Sequence, residues 1–229
     1  MPQAGFAFDA ATGRVDLGAV EAPDFAAALS LRGRACMSPG KRAIDILAAT
    51  SLIVFFAPVY VVVAALIRLD SPGTVLYRQR RVGQGGAVFD IYKFRSMVID
   101  AEKNGVCWAQ PDDGRVTRIG RVIRRLRIDE LPQAFNVLKG EMSFVGPRPE
   151  RPEFVALLER EIPNYHLRHD VRPGITGWAQ VNYEYGASVE DARIKLPYGL
   201  YYIRHFSLMR DLLIIAMTVR VALFGLGSR

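Results

Sequence analysis

An uninterrupted run without charge, Ile46 to Ile67 (ILAATSLIVFFAPVYVVVAALI), limits what this chain can become more than any other feature. As one helix its 22 residues would reach about 33 Å, enough to cross the hydrocarbon layer of a bilayer. A long stretch precedes the run and no small-residue cleavage site follows it, so it is not expected to be a cleavable signal. Pro58 sits in its middle, where a missing N–H and a clash with the preceding turn predict a kink. Both flanks are basic, with Arg32, Arg34, Lys41 and Arg42 before and Arg68, Arg78, Arg80 and Arg81 after. The positive-inside bias therefore does not choose a side. Two readings stay open on these grounds: a kinked spanning helix, or a helix that breaks at Pro58 and returns to the face it entered from. The second satisfies both flanks and is the expectation carried forward.

The chain has 229 residues, half of them hydrophobic, and a formal net charge of +7. Its mean hydropathy of +0.11 is high for a soluble domain. A basic surplus fits nucleic acid, an anionic membrane surface or anionic substrates. The apolar run favours the last two, and no nucleic-acid partner is expected. Cys36 and Cys107 form no CxxC and have no nearby histidine ligands, so neither a zinc site nor a disulfide framework is implied. His166 and His169 lie in a polar stretch without a metal motif.

Residues 1–38 are rich in Ala and Gly without a sustained period and read as a variable, weakly ordered extension. Residues 39–69 are the membrane segment, and 70–229 a single further domain. Within it, Thr74–Tyr77 and Val88–Tyr92 are short β-like runs around Gly83-Gln84-Gly85-Gly86, a hairpin connection. Arg118 to Arg127 reads as a basic helix with Ile119, Val122, Ile123 and Leu126 on one face. Leu131, Phe135 and Leu138 mark another, ended by Gly140, and one more begins at Pro152. Residues 173–188 look like loop. Tyr198 to Leu226 is helical in pattern, but Arg210, Asp211 and Arg220 interrupt its apolar run. An amphipathic helix lying in the membrane interface fits it better than a second span.

Four clusters carry chemistry. In Arg124-Arg125-Leu126-Arg127-Ile128-Asp129-Glu130-Leu131-Pro132-Gln133, adjacent acids follow arginines, and Pro132 belongs to a first helical turn. Asp129 is thus expected at or near a helix N-terminus, where a carboxylate is stabilised and phosphate attracted. Such a carboxylate can attack phosphorus if cations screen the repulsion. On spacing alone Asp129 reads as well as a plain helix cap with Glu130 in the first turn. In Val145-Gly146-Pro147-Arg148-Pro149-Glu150, two prolines fix the backbone around Arg148 and suit it to phosphate binding, or make a rigid linker. In Tyr92-Lys93-Phe94-Arg95-Ser96-Met97, apolar residues alternate with cations. Lys93 and Arg95 face either a phosphate site, Glu130, or solvent from an ordinary edge strand. Arg172-Pro173-Gly174-Ile175-Thr176-Gly177-Trp178-Ala179-Gln180 is a rigid loop signal with a flat aromatic face. No P-loop, dinucleotide fingerprint, nucleophile elbow or HExxH motif is present.

Taken in order from Lys41 to about Gly227, these motifs resemble those of the monotopic phosphoglycosyl transferases, the bacterial sugar transferase family that initiates exopolysaccharide and related glycan assembly. The resemblance includes Lys41-Arg42-Ala43-Ile44-Asp45, Pro58, the KFRSM, IDELPQ, VGPRP and RPGITGWAQ stretches, and Tyr201-Tyr202-Ile203 with Ser207 and Asp211. It implies an α/β fold, mostly helical with a small β element. A re-entrant helix-break-helix would carry a compact cytosolic catalytic domain with interfacial amphipathic helices. It implies a Mg²⁺-dependent transfer of sugar-1-phosphate from a UDP-sugar to polyprenyl phosphate, with release of UMP. Asp129 matches the nucleophile and is the expected metal contact, and Glu130 matches the neighbouring acid, as positioner, base or partner of Lys93. Arg124 and Arg148 match phosphate-binding positions; Arg42 and Asp45 match a pair that steadies the membrane helix and the lipid end. The implied setting is the bacterial inner membrane with the catalytic domain facing the cytoplasm. Downstream glycosyltransferases are implied partners, and a homo-oligomer stays open. Ala57-Pro58 stands where the family often has Ser-Pro, which removes a hydroxyl that helps the bend. Asn182-Tyr183-Glu184-Tyr185-Gly186 resembles a subgroup tied to exopolysaccharide gene clusters. Rival readings are a non-catalytic membrane scaffold, a nucleic-acid binder, and a polytopic transferase, which needs more spans than one hydrophobic segment provides.

Overall fold

The computed structural model describes residues 8–9, 13–15, 29, 33–101, 103, 105, 113–183, 186 and 188–224. Cys107, Glu184, Tyr185 and the end of the C-terminal pattern at Leu226 and Gly227 lie outside the described residues.

The apolar run forms two helices, α1 (Pro39–Phe55) and α2 (Ala57–Asp70). Ser38 caps the first by accepting from the Lys41 N–H, and Pro39 occupies its first turn. The break falls at Phe56, and the axes bend by 60°. This is what Pro58 requires: with no N–H of its own and a ring that crowds the carbonyl four residues back, it is tolerated only in the first turn of a new helix. No single helix among the described residues is long and apolar enough to cross a membrane; the bent pair passes that test together. Leu47, Val54, Phe55 (78% exposed), Val61, Val62 and Leu69 (85% exposed) cover its outer surface.

The inner surface of the bent pair is anchored. β3 (Leu76–Val82) and β4 (Val88–Phe94) form an antiparallel hairpin from Leu76↔Phe94 to Val82↔Val88, turned by Gly85 and Gly86 at positive φ. Phe94 and Ile123, the latter from α3 (Arg118–Arg125), pack on Val63 and Ile67 of α2. Ile91 packs with Ala49 of α1 and with Ala134 and Val137 of α4 (Gln133–Lys139). Each arm of the bend therefore grips a different part of the segment 128–139, and this is how the bent pair positions the site.

The remaining elements close the other side: β5 (Ser143–Val145), α5 (Pro152–Glu161), β6 (Gly174–Thr176), α6 (Trp178–Asn182), α7 (Val189–Arg204) and α8 (Leu208–Phe224). The largest apolar cluster joins Val155, Leu158, Ile162, Leu196, Leu200, Ile203 and Ile214. The chain is mostly helical, with three two-stranded sheets among the described residues, and only β5 and β6 pair in parallel. Residues 173–188, expected to be loop, instead hold a strand and a short helix. The reason is a nest of glycines: a Cβ on Gly174 would lie 2.1 Å from the Gly146 nitrogen, and one on Gly177 would lie 2.2 Å from the Gly146 carbonyl oxygen. The two backbones approach within pairing distance only because no side chain intervenes.

Ahead of Ser38 the described residues include a short strand pair and two core contacts. β1 (Phe8–Asp9) and β2 (Arg14–Val15) pair antiparallel. Val15 and Leu29 are buried in the largest cluster.

Candidate active site

The chain enters the site through an unusual helix end. α3 stops at Arg125, and Arg127 adopts the left-handed conformation (φ 58°) at a position where glycine is usual. Its N–H still reaches the Arg124 carbonyl. This reversal throws Ile128–Glu130 into a 3₁₀ turn that runs into α4, which begins only at Gln133. Tyr60 of α2 donates its hydroxyl to the Leu131 carbonyl at 2.7 Å, tying the turn to the bent helix pair. Gly120 of α3 lies flat against the Ser96 backbone, where an added Cβ would come within 2.0 Å of the carbonyl oxygen.

A cavity of about 550 Å³ opens at this turn. Asp129, Glu130, Lys93, Arg95, Arg124 and Arg148 all line it, so six of the residues expected from sequence come together. Glu130 is saturated with cations. Arg148 grips it with both terminal nitrogens, at 2.5 and 3.3 Å, and Lys93 donates to Oε1 at 3.1 Å. Despite deep burial, these cations hold its carboxyl well below the usual range. Asp129 is buried too, 8% exposed, but makes no hydrogen bond or ion pair with the described residues. Burial, reinforced by the charge on Glu130 and opposed by Lys93, Arg124 and Arg148, raises its carboxyl to about 6. The site thus keeps one acid as an anchored anion and leaves its neighbour facing the cavity. Asp129 lies in the first turn of this 3₁₀ segment, as expected of a residue at or near a helix start, and the side-chain cations only partly offset its burial.

Arg95 is differently employed. It borders the same cavity, yet its guanidinium donates to the Ser71 carbonyl at 2.7 Å and to the Pro72 carbonyl, fixing the turn after α2. Arg42 and Asp45 lie away from the cavity and do not pair with each other. Arg42 donates to the Val137 and Leu138 carbonyls at 2.6 and 2.8 Å, capping the end of α4. Asp45 accepts from the Ser143 hydroxyl and the Phe144 N–H, each at 2.9 Å, fixing β5. Pro58 sits at the bend.

Sequence reading missed the partner of that last arrangement. Lys41, 3% exposed, donates to Asp211 at 2.6 Å and to the Val145 carbonyl at 3.1 Å. The Tyr202 hydroxyl donates to the other Asp211 oxygen at 2.7 Å. This network holds α1, α7 and α8 to the strand that leads directly into Gly146-Pro147-Arg148. The signal that was available was an acid set in an otherwise apolar helix, which demands a buried partner. Arg168, also missed, donates to the Tyr165 hydroxyl and to the Arg148 carbonyl, fixing the same loop from the far side.

Among the described residues no three His, Cys, Asp or Glu side chains are grouped to hold a metal. A site that offers one or two carboxylates fits a hard, hydrated cation such as Mg²⁺, which takes its other ligands from water and substrate phosphates, and does not fit zinc.

Comparison with known proteins identifies the family. The family model for bacterial sugar transferases matches residues 36–225. A UDP-N-acetylgalactosamine-undecaprenyl-phosphate N-acetylgalactosaminephosphotransferase of Aeromonas hydrophila is 56% identical over 189 residues, covering 82% of this chain and 45% of the relative. A UDP-glucose:undecaprenyl-phosphate glucose-1-phosphate transferase of Caulobacter vibrioides is 45% identical over 181 residues, covering 78% of this chain and 68% of the relative. The exopolysaccharide production protein PSS of Rhizobium leguminosarum bv. phaseoli is 44% identical over 185 residues, covering 78% and 92%. The chain spans less than half the length of the Aeromonas relative. The match covers both arms of the bent helix pair, the acid pair and the arginine loop, and the chain belongs to the bacterial sugar transferase family.

Proposed function

We propose that this chain transfers a sugar-1-phosphate from a UDP-sugar to polyprenyl phosphate through a phosphosugar held covalently on Asp129. The observation that carries this reading is the asymmetry of the acid pair. Glu130 has its charge fully engaged, while Asp129, without a partner among the described residues, faces a cavity ringed by Lys93, Arg124 and Arg148. The names of the Aeromonas and Caulobacter relatives support the donor and acceptor classes.

In the first step an Asp129 oxygen attacks the β-phosphorus of the donor. The bond to the bridging oxygen breaks, and UMP leaves with that oxygen and the electron pair. In the second, an oxygen of polyprenyl phosphate attacks the same phosphorus, and the Asp129 carboxylate departs as the leaving group. No proton is lost from Asp129, which must enter the reaction ionised. Arg148, locked in place by Glu130 and the two flanking prolines, and Arg124 neutralise charge on the transferring group. Glu130 positions this array rather than taking a proton, because its charge is already spent on Lys93 and Arg148. Mg²⁺, held by Asp129 with oxygens of the donor diphosphate, would supply further charge neutralisation.

The exposed apolar faces of α1, α2 and α8 support a seat on the bilayer, with the bend returning α2 to the side from which α1 enters. In this reading both helix ends face the cytoplasm at the inner membrane. The product would be the lipid-linked first sugar of an exopolysaccharide or related glycan, extended by later glycosyltransferases.

The test is UMP release from a panel of UDP-sugars by the purified chain with polyprenyl phosphate, including UDP-N-acetylgalactosamine and UDP-glucose. Turnover with at least one donor, arrest by a chelator, and a phosphosugar adduct on Asp129 by mass spectrometry are the expected results. Absence of UMP release with every donor rejects the activity, and turnover without an adduct rejects the covalent route.

A further inference from the structure

The family match begins at residue 36, yet residues well ahead of it touch the cavity wall. Trp178, Gln180 and Tyr183 line the same cavity as Asp129. The Trp178 indole N–H donates to the Gly13 carbonyl at 2.7 Å. Gly13 has φ +62°, and a Cβ there would lie 2.9–3.2 Å from three atoms of the indole ring, so only glycine fits both the backbone and the ring. The next residues complete the dock: the Arg14 guanidinium lies over the Tyr198 ring at 6.0 Å, and Val15 is buried in the main core. On its other side Trp178 stacks on Tyr201, with centroids 6.1 Å apart and planes at 23°. The indole is thus held between α7 and the Gly13 turn. Its neighbour Gly177 is in turn seated on Gly146, two residues from Arg148.

We propose that the turn at Gly13, lying outside the family match, is a positioning element for the substrate cavity: it sets the orientation of Trp178 and thereby the affinity for the donor nucleotide sugar. This rests on the transferase reading above. A flat aromatic wall in a cavity suits the face of a sugar or a base. Holding its N–H on a backbone carbonyl lowers the entropy lost when the ligand lands.

The experiment compares Trp178→Phe, which keeps a ring but loses the donor, with Gly13→Val, which pushes on the indole, and with the double variant. In each the KM for the UDP-sugar is expected to rise about fivefold with kcat within about twofold, and the double variant to be no worse than the poorer single one, because both break one contact. A purely structural contact would lower the melting temperature and the active fraction while leaving KM unchanged. In a background with Trp108 replaced by Phe, Trp178 is the single indole, and Gly13→Val is expected to move its emission to longer wavelength. An intact chain that turns over, with variants of unaltered KM, overturns this inference alone. An intact chain inert toward every UDP-sugar overturns it together with the transferase reading.

Discussion

Two acid clusters lie on either side of the Gly146-Pro147-Arg148 loop, and they are built to opposite ends. At Lys41–Asp211–Tyr202, every polar atom that burial strips of water finds a partner: Asp211 receives the ammonium on one oxygen and the tyrosine hydroxyl on the other. At Asp129–Glu130, the cations go to one acid, and the other is buried on a cavity wall without a partner among the described residues. The first arrangement fixes geometry, since a satisfied buried network has one good configuration. The second stores an unmet demand for a ligand. On the proposed function the paired acid, Asp211, is a structural part and the unpaired one, Asp129, a reactive part, although both are buried aspartates near cations.

Removing the charge at each cluster should therefore have opposite consequences. Asp129→Asn is expected to reduce UMP release by at least about 10³-fold, as loss of a nucleophile does. Its unfolding midpoint should stay level or rise, because a buried unpaired charge has been removed. If Asp129→Asn keeps near-normal turnover, the division of roles fails. Lys41→Met should cost about 3–5 kcal/mol of stability in chemical denaturation of the membrane-mimetic-solubilised protein, because it strands Asp211 as a buried charge. Adding Asp211→Leu should recover much of that loss; a double variant as unstable as the single would show that the pair is not the relevant contact.

The pH profile separates the clusters more finely. Burial raises the Asp129 carboxyl to about 6, and the proposed nucleophile is its ionised form, so kcat/KM should climb about tenfold per unit below that value and level off above it. Because its folded value is raised, Asp129 favours the fold at low pH, and that contribution disappears as pH rises through about 6. Glu130, held low, does the reverse: its contribution is present above the ordinary carboxylate range and lost only in stronger acid. A flat kcat/KM profile between pH 5 and 7 would remove Asp129 from the rate-controlling ionisation. The smallest effect belongs to the tie between α2 and the acid turn. Tyr60→Phe loses one hydroxyl bond to the Leu131 carbonyl and should cost about 1 kcal/mol in the same denaturation experiment. A much larger loss would mean that α2 braces the site through more than packing.

Much of the local structure is legible along the chain. The glycines at 83–86 announce the hairpin, the apolar spacing of Ile119, Val122, Ile123 and Leu126 announces α3, and Pro58 announces the bend. The motifs, in order, point to the family and to the acid pair. Arg95 shows the limit: alternation with Lys93 puts both near one cavity, but the guanidinium of Arg95 is committed to the Ser71 and Pro72 carbonyls, which no spacing rule anticipates. The stretch 173–188 read as a rigid loop whose glycines allow close backbone approach, but the backbone they approach, at Gly146, is remote in sequence, and so the strand and helix were not legible. The turn at Gly13 was invisible for the same reason, since its partner Trp178 is remote in sequence.

By itself the sequence determined where several helices start or end, that an apolar element bends near residue 58, and which acid pair stands after the arginines. Those features follow from hydrogen bonding and sterics within a few residues. Only the tertiary structure decided which of the two acids is engaged, that Lys41 answers Asp211 across the chain, and that the N-terminal turn braces the cavity wall. Such choices depend on which groups burial brings within reach of one another, and an ion pair or an indole N–H finds its partner through space rather than along the chain.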